Sequence, residues 1–437
     1  MSQLMDRTDM PLGGFLPEVE GFETLQTLRE KALQDHLALG IPTTKDEEWK
    51  YTSLRNLSEQ YFTQSGRLPV TEEQMAPYTY GDLEQIRIVF INGHYDEGLT
   101  TSLSHVPGLT IKTLQCASDT APHLIENLGK FTKTEEFTFG ALNTAKFLDG
   151  VVIHLAKNTA VETPIHVLNL TTADVNNATG ISIPRILVLA ETGSKATVLE
   201  TYASIGTGAT LSNAVVEVLV EANACIEHVK VTTESLDSTH IGLTNVMQER
   251  DSTYLHYNVI LGGKLTRNDI NIFLNGSNVH TRMDGVTILD GSQHADNHTR
   301  LDHAYPHCDS FEVYKHVLGG DSTGVFNGKI FVHQDAQKTD AKQTNQTLLM
   351  SPTATINSKP QLEIFADDVK CTHGATVGCL DQMPLFYLQT RGIPQKRAEA
   401  IMVYAFAAEV LERISNTTLR ARLEELLYEK LAVESQA

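Results

Sequence analysis

From about residue 85 to residue 378 the chain is written in short β-branched runs separated by Gly, Asp, Asn and Ser turns, as in "IRIVFING", "GVVIHLAKN", "PRILVLAETGSKATVLET" and "AVVEVLVEANACIEHVKVT". No amphipathic helix interrupts the stretch from about 150 to 378. Polar turn starts recur near Glu191, Gly208, Glu221, Glu249, Gly262, Asn275, Gly291, Asp309, Asp321, Asp335, Ser351 and Asp367. Most steps are about 13 to 18 residues, and a double step is about 26 to 30. A sandwich would place turn signals roughly every 8–12 residues. The longer, more regular step predicts a β-solenoid, in which each unit of one or two strands stacks on the last.

The two ends read differently. In "GFETLQTLREKALQDHLALGIP", Leu25, Leu28, Ala32 and His36 fall at helical spacing, with a stop at Gly40 and Pro42. Thr44 and Glu47 have capping-box spacing, and Trp49, the only tryptophan, reads as a packing anchor. After Gly378, Asp381 can cap a short helix ending at Gly392, and Pro394 can open the next. Ile401, Tyr404, Ala405, Ala408, Leu411 and Ile414 then make an apolar stripe at helical spacing. A second stripe runs through Leu419, Leu423, Leu426 and Leu427. The expected organisation is a helical region over 1–84, a β core over 85–378 and a helical domain over 379–437.

The net charge of −20 argues against a nucleic-acid partner and against an anionic membrane surface. No apolar run reaches the roughly 18 residues of a spanning helix. The start, MSQLMDRTDMPLGGF, does not read as a signal peptide, so a cytoplasmic location is expected. Cys116, Cys225, Cys308, Cys371 and Cys379 form no CxxC pair and are expected as free thiols. No Walker loop, strand-linked GxGxxG or GxSxG elbow is present, and no carboxylates pair for acid/base work.

Two stretches carry chemistry. In "DDVKCTHGATVG" the two-residue period of a strand puts Val369, Cys371, His373, Ala375 and Val377 on one face. On one reading this is a small inward-facing apolar surface, with Cys371 as a small hydrophobe. On the other, a thiolate and an imidazole about 7 Å apart along the strand reach one iron or zinc. Two ligands are half a site, so the rest would come from elsewhere or from a partner. In "HADNHTRLDHAYPHC", His294, His298, His303, His307 and Cys308 crowd together with Asp296 and Asp302. Their spacing suits neither one helix face nor one strand, so a polar ladder along a coil edge is the reading preferred over a metal site.

The run "FNGKIFVHQDAQKTDAKQTNQTLLMSPTATINSKPQLEIFADDVKCTHGATVG", with "LFYLQTRGI", "YAFAAEVLERI" and the early "DEEWKYTSL", closely resembles the SufD family. These are the non-ATPase scaffold subunits of Suf-type iron–sulfur cluster assembly. The resemblance spans the chain and is strongest from about 285 to 414. The related SufB pattern has His-Glu where this chain has His373-Gly374, and a sulfur-accepting cysteine with no match here. Asn357-Ser358 departs slightly from the SufD pattern, and Cys379 is an additional thiol without an assigned role.

The resemblance implies a right-handed parallel β-helix between helical ends, pairing with SufB through the β-helices. It implies that the C-terminal helices hold a subunit of the ATPase SufC. The docking residues expected on that basis are Ile393, Pro394, Ile401, Tyr404, Ala408 and Leu411. Sulfur would come from a cysteine desulfurase system. A transient iron–sulfur cluster would be shared with SufB, with His373 toward it and Cys371 beside it, and no cofactor tightly held by this chain alone. The chain would be a scaffold without turnover of its own, and isolated chains would be expected to form a homodimer through open sheet edges. The alternative class is a β-helix enzyme, either a metal hydrolase using the histidine group or a carbohydrate-active protein.

Overall fold

The computed structural model describes residues 22–434 except 59, 61, 65, 67, 102–105, 173–178 and 207. The expected helical reading of the first 21 residues, and the absence of a signal peptide there, lie outside the described residues.

The centre is a parallel β-helix. Strands Lys195–Ile205, Cys225–Thr233, Thr253–Ile260, His280–Leu289, Asp309–Leu318, Asp340–Leu349 and Lys370–Gly378 follow one another in one sheet. The strands between them in sequence, Thr210–Val220, Thr239–Gln248, Leu265–Leu274, His294–His303, Thr323–Val332 and Thr355–Ile364, form the other. Each strand pairs in parallel with the strand two places on, so the chain winds rather than folds back. Val, Ile and Leu face the axis, packed with Tyr254, Met283, Tyr314 and Phe326.

The corners before strands Lys195–Ile205, Cys225–Thr233, Thr253–Ile260, His280–Leu289, Asp309–Leu318 and Asp340–Leu349 are each held by a residue in the left-handed region: Gly193, Asn223, Asp251, Asn278, His307 and Lys338. Asn and Asp adopt that conformation at low cost. The corners themselves stack, since the N–H of Asn223, Asp251, Asn278, His307 and Lys338 each donates to a carbonyl in the next turn. The turn starts read from the sequence fall on or beside most of these corners. Two details differ. Asp309 opens a strand rather than a turn, and the corner between Cys225–Thr233 and Thr239–Gln248 was not expected.

The region before residue 150 is mixed. Helix Gln26–Leu39 stops at Gly40, whose φ is 65°. Thr44 and Glu47 do not make a capping box: the Thr43 N–H donates to Asp46 instead, at 2.7 Å. The capping box of this region is Thr71 with Gln74. A strand, Phe62–Gln64, lies inside the segment read as helical, and helices Leu114–Thr120 and Thr138–Lys146 lie inside the segment read as β. Helix Thr138–Lys146 is buried all round. It is tied to the solenoid by the buried Arg185, which donates to Asn143 and Thr144 and pairs with Glu217 at 2.5 Å.

Helices Gln382–Thr390, Gln395–Ala408 and Thr417–Glu434 follow the solenoid. The last two pack on the outer face of the middle of the coil, on Val229, Val231, Tyr257, Val259, Val286, Ile288 and Val317. No helix among the described residues is long and apolar enough to cross a membrane.

Candidate functional site at the open end of the solenoid

Strand Lys370–Gly378 is in register with Asp340–Leu349, pairing Cys371 with Ala341, His373 with Gln343, Ala375 with Asn345 and Val377 with Thr347. The four partners are buried inside the coil. Cys371, His373, Ala375 and Val377 therefore face the axis together, as their spacing in sequence requires. No described strand stacks on this rung. His373 is exposed and Val377 is 53% exposed. Cys371 is half-buried against the apolar interior, and that burial pushes its thiol up from the ordinary range.

The facing strand Thr355–Ile364 continues the same surface. Ile356, Ser358, Pro360, Leu362 and Ile364 are in register with Gly324, Phe326, Gly328, Ile330 and Val332. Ile364 and its neighbour Phe365 are exposed. The open end is thus a largely apolar surface holding one thiol and one imidazole, bordered by two strands whose outer edges pair with no described strand.

Polar groups lie beneath it. Gln343 donates to Glu312 at 2.6 Å, and Asn345 bridges His316 at 3.0 Å and Ser358 at 2.8 Å. Farther in, the Asn258 amide donates to Asn297 at 2.9 Å, and Tyr202 donates to Glu200, which faces His228 at 3.2 Å. Sequence reading missed this column, although its signal is present: polar residues at inward positions one turn apart, such as Glu312, Gln343 and His373.

As a place for iron or sulfur, the rung offers the Cys371 thiol and the His373 imidazole on one side of one strand. Among the described residues no group of three or more His, Cys, Asp and Glu is close enough to hold a metal ion. The donor set fits half of a site and would need ligands beyond the described residues.

The histidine-rich stretch does not converge. His294, His298 and His303 share the strand His294–His303, contrary to the expectation that their spacing suits no single strand. His303 faces inward beside Ser310, where burial lowers it to about 4. His307 forms a corner, and Cys308 is buried. His294, Asp296 and His298 face outward, under the "DEEWKYTSL" segment. Thr52 reaches His294 at 2.9 Å and donates to Asp296 at 2.5 Å, and Glu48 meets His298 at 3.2 Å. Trp49 lies under the Arg267 guanidinium, 3.8 Å from ring centre to carbon, so it is the packing anchor expected. Burial alone would lower His298, but Asp296 and Glu48 outweigh it and raise it to about 9. The cluster clips the N-terminal segment to the coil.

Of the residues expected to dock a partner, Ala408 and Leu411 are packed inside the chain's own core. Ile401 and Pro394 are exposed, and Ile393 and Tyr404 are partly so. Sequence reading missed Met383, Phe386 and Tyr387 on helix Gln382–Thr390, which are 74%, 63% and 58% exposed. Their signal was a short helix in which apolar residues outnumber what one buried stripe can use. Cys379 is exposed just beyond the last strand.

What fold and site define together is a helix-flanked β-solenoid whose open end carries one thiol and one imidazole. The family model for the SufBD core domain of the SUF FeS cluster assembly system matches residues 171–406, and that for the SufBD N-terminal region matches 18–167. The chain is 32% identical over 414 residues to the iron–sulfur cluster assembly protein SufD of Escherichia coli, covering 92% of this chain and 93% of that one. It is 33% identical over 398 residues to an iron–sulfur cluster assembly SufBD family protein of Synechocystis, covering 89% and 87%. SufD of Bacillus subtilis is 26% identical over 303 residues, 68% of each chain. The chain belongs to the SufBD family of iron–sulfur cluster assembly proteins, on the SufD side.

Proposed function

We propose that this chain is the SufD scaffold of a cytoplasmic Suf assembly complex, with no turnover of its own. The observation that carries the reading is the open last rung, where Cys371 and His373 stand in an apolar surface between two unpaired strand edges. Free parallel edges and exposed apolar side chains call for a covering partner. A second solenoid, SufB, supplies both strands and apolar surface. The shared boundary then completes the half-site, and a nascent cluster, the cargo of the reaction, forms where ligands come from both chains. Sulfur arrives from a cysteine desulfurase system. An imidazole ligand competes with protons for metal, so a site that includes one is suited to releasing its cargo. The SufC ATPase docks on Met383, Phe386, Tyr387, Ile393, Pro394, Ile401 and Tyr404, the exposed part of the C-terminal helices.

The test is His373→Ala in the complete complex, in cells lacking a second assembly system. Complex assembly survives, because a single exposed interface side chain seldom carries more than a few kcal/mol. Cluster formation fails. Cys371→Ala has the milder effect. Normal cluster formation with His373→Ala removes His373 from the site.

A further inference from the structure

We infer that Gln343, anchored by Glu312, is a positioning residue that fixes the imidazole of His373 by accepting a hydrogen bond from its inward nitrogen. The inference rests on the functional reading of His373 given above and adds the group that orients it.

Met283, Glu312, Gln343 and His373 occupy one column on successive turns of the coil. Adjacent strands lie about 4.8 Å apart, so side chains in a column are within hydrogen-bond reach of the next. The Gln343 amide gives its nitrogen to Glu312 at 2.6 Å, toward the interior. Its oxygen is then left for another neighbour, and Gln343 Oε1 is buried without a partner among the described residues. A buried acceptor left unsatisfied keeps the cost of its lost hydration. In the same rung Thr347 Oγ1 is also unpartnered, but the residue above it is Val377, which has nothing to donate. Above Gln343 is His373, which does. Space for the amide is reserved on the facing strand by Gly328, where a Cβ would overlap the Gln343 side chain. An acceptor below His373 selects the tautomer protonated on the inward nitrogen, leaving the outward nitrogen with a free lone pair toward the partner boundary.

The experiment is nitrogen NMR on the full chain with ¹⁵N-labelled histidine, the His373 signals being those lost in His373→Asn. The wild-type chain should show one dominant His373 tautomer. In Gln343→Met the tautomer ratio should move severalfold toward that of free histidine, and in Gln343→Glu, which keeps an acceptor, it should hold. A free-histidine ratio in the wild type, or no change in Gln343→Met, overturns the inference. If Gln343→Met does not fold, the wild-type ratio decides alone. This readout needs no cluster. A His373→Ala chain that still builds clusters would remove the functional reading while leaving the hydrogen bond standing, and the converse result is equally separable.

Discussion

The two ends of the solenoid are made from the same kinds of strand and finished in opposite ways. At the N-terminal end each sheet stops with a strand that runs backwards: Leu109–Thr113 lies antiparallel to Gly150–Leu155, and His94–Asp96 to Ile86–Ile91. Tyr95, Val106, Leu109 and Ile111 pack over the interior there. At the C-terminal end the sheets stop on Thr355–Ile364 and Lys370–Gly378, with inward side chains in view. The closed end shows that this chain has the means to seal a rung. The open end lacks that seal and holds the thiol and the imidazole, which is why the proposed partner is placed there.

The comparison breaks most sharply under one substitution made at both ends. Ile153 is fully buried in the first turns, whereas Val377 is 53% exposed in the last. Ile153→Asp places a charge in the core and should cost on the order of 4 kcal/mol or more, enough to prevent folding. Val377→Asp should change monomer stability by less than about 1 kcal/mol and abolish pairing with SufB. Denaturant titration and co-purification measure the two effects. Equal stability losses would mean that the C-terminal rung is sealed after all.

A pH profile of stability sharpens the comparison between the coil interior and its mouth. Burial holds His166 down at about 3, and His303 and His316 at about 4. The unfolded chain takes up protons below about pH 6.5 while these sites stay neutral. Stability should therefore fall as pH drops from about 6.5 toward 4, by on the order of a few kcal/mol. Burial raises Glu312 to about 7, which has the opposite slope: its contribution is intact below about pH 4.5 and is lost as pH rises through 7. Glu312→Gln should steepen the fall in stability between about pH 6.5 and 4.5, where Glu312 opposes the histidines, and His316→Asn should flatten it. A profile unchanged by either variant would show that these groups are hydrated.

The smallest effect concerns the flank. His298, raised to about 9 by Asp296 and Glu48 against its burial, contributes stability that is full below about pH 6.5 and lost as pH rises through 9. His298→Gln should release the segment around Trp49 at about 1–2 kcal/mol, with the coil intact. Trp49 fluorescence followed from pH 7 to 10 reports it. A signal independent of pH would leave Trp49 held by Arg267 and Phe139 alone.

The coil was legible because its corners use residues suited to turns, and the period of two placed Cys371 and His373 on one face without any structure. The corner Glu234–Ser238 was missed although Ser235, Asp237 and Ser238 are turn residues; it contains no glycine or asparagine and no residue in the left-handed region. Helix Thr138–Lys146 was hidden because a helix buried on every side has no polar face to set a period. The C-terminal stripe was seen, but what covers Ala408 and Leu411 was not: their cover is Val229, Val231, Val286 and neighbouring residues, more than a hundred positions earlier. The column beneath His373 joins residues about one turn of the coil apart, so its signal, polar residues at inward positions, emerges only once successive turns are aligned on one another.

The central claim is that the last rung is a pairing surface. Amide hydrogen exchange across Thr355–Ile364 and Lys370–Gly378 tests it, read first on the dilute chain and then on the chain bound to SufB. In the free chain these two strands should exchange faster than the strands one turn below, and in the pair they should become protected together while the N-terminal rungs stay as they were. If they are already as protected as Asp340–Leu349 in the free chain, or if pairing protects another face and leaves them fast, the open rung is not the boundary where the two scaffolds meet.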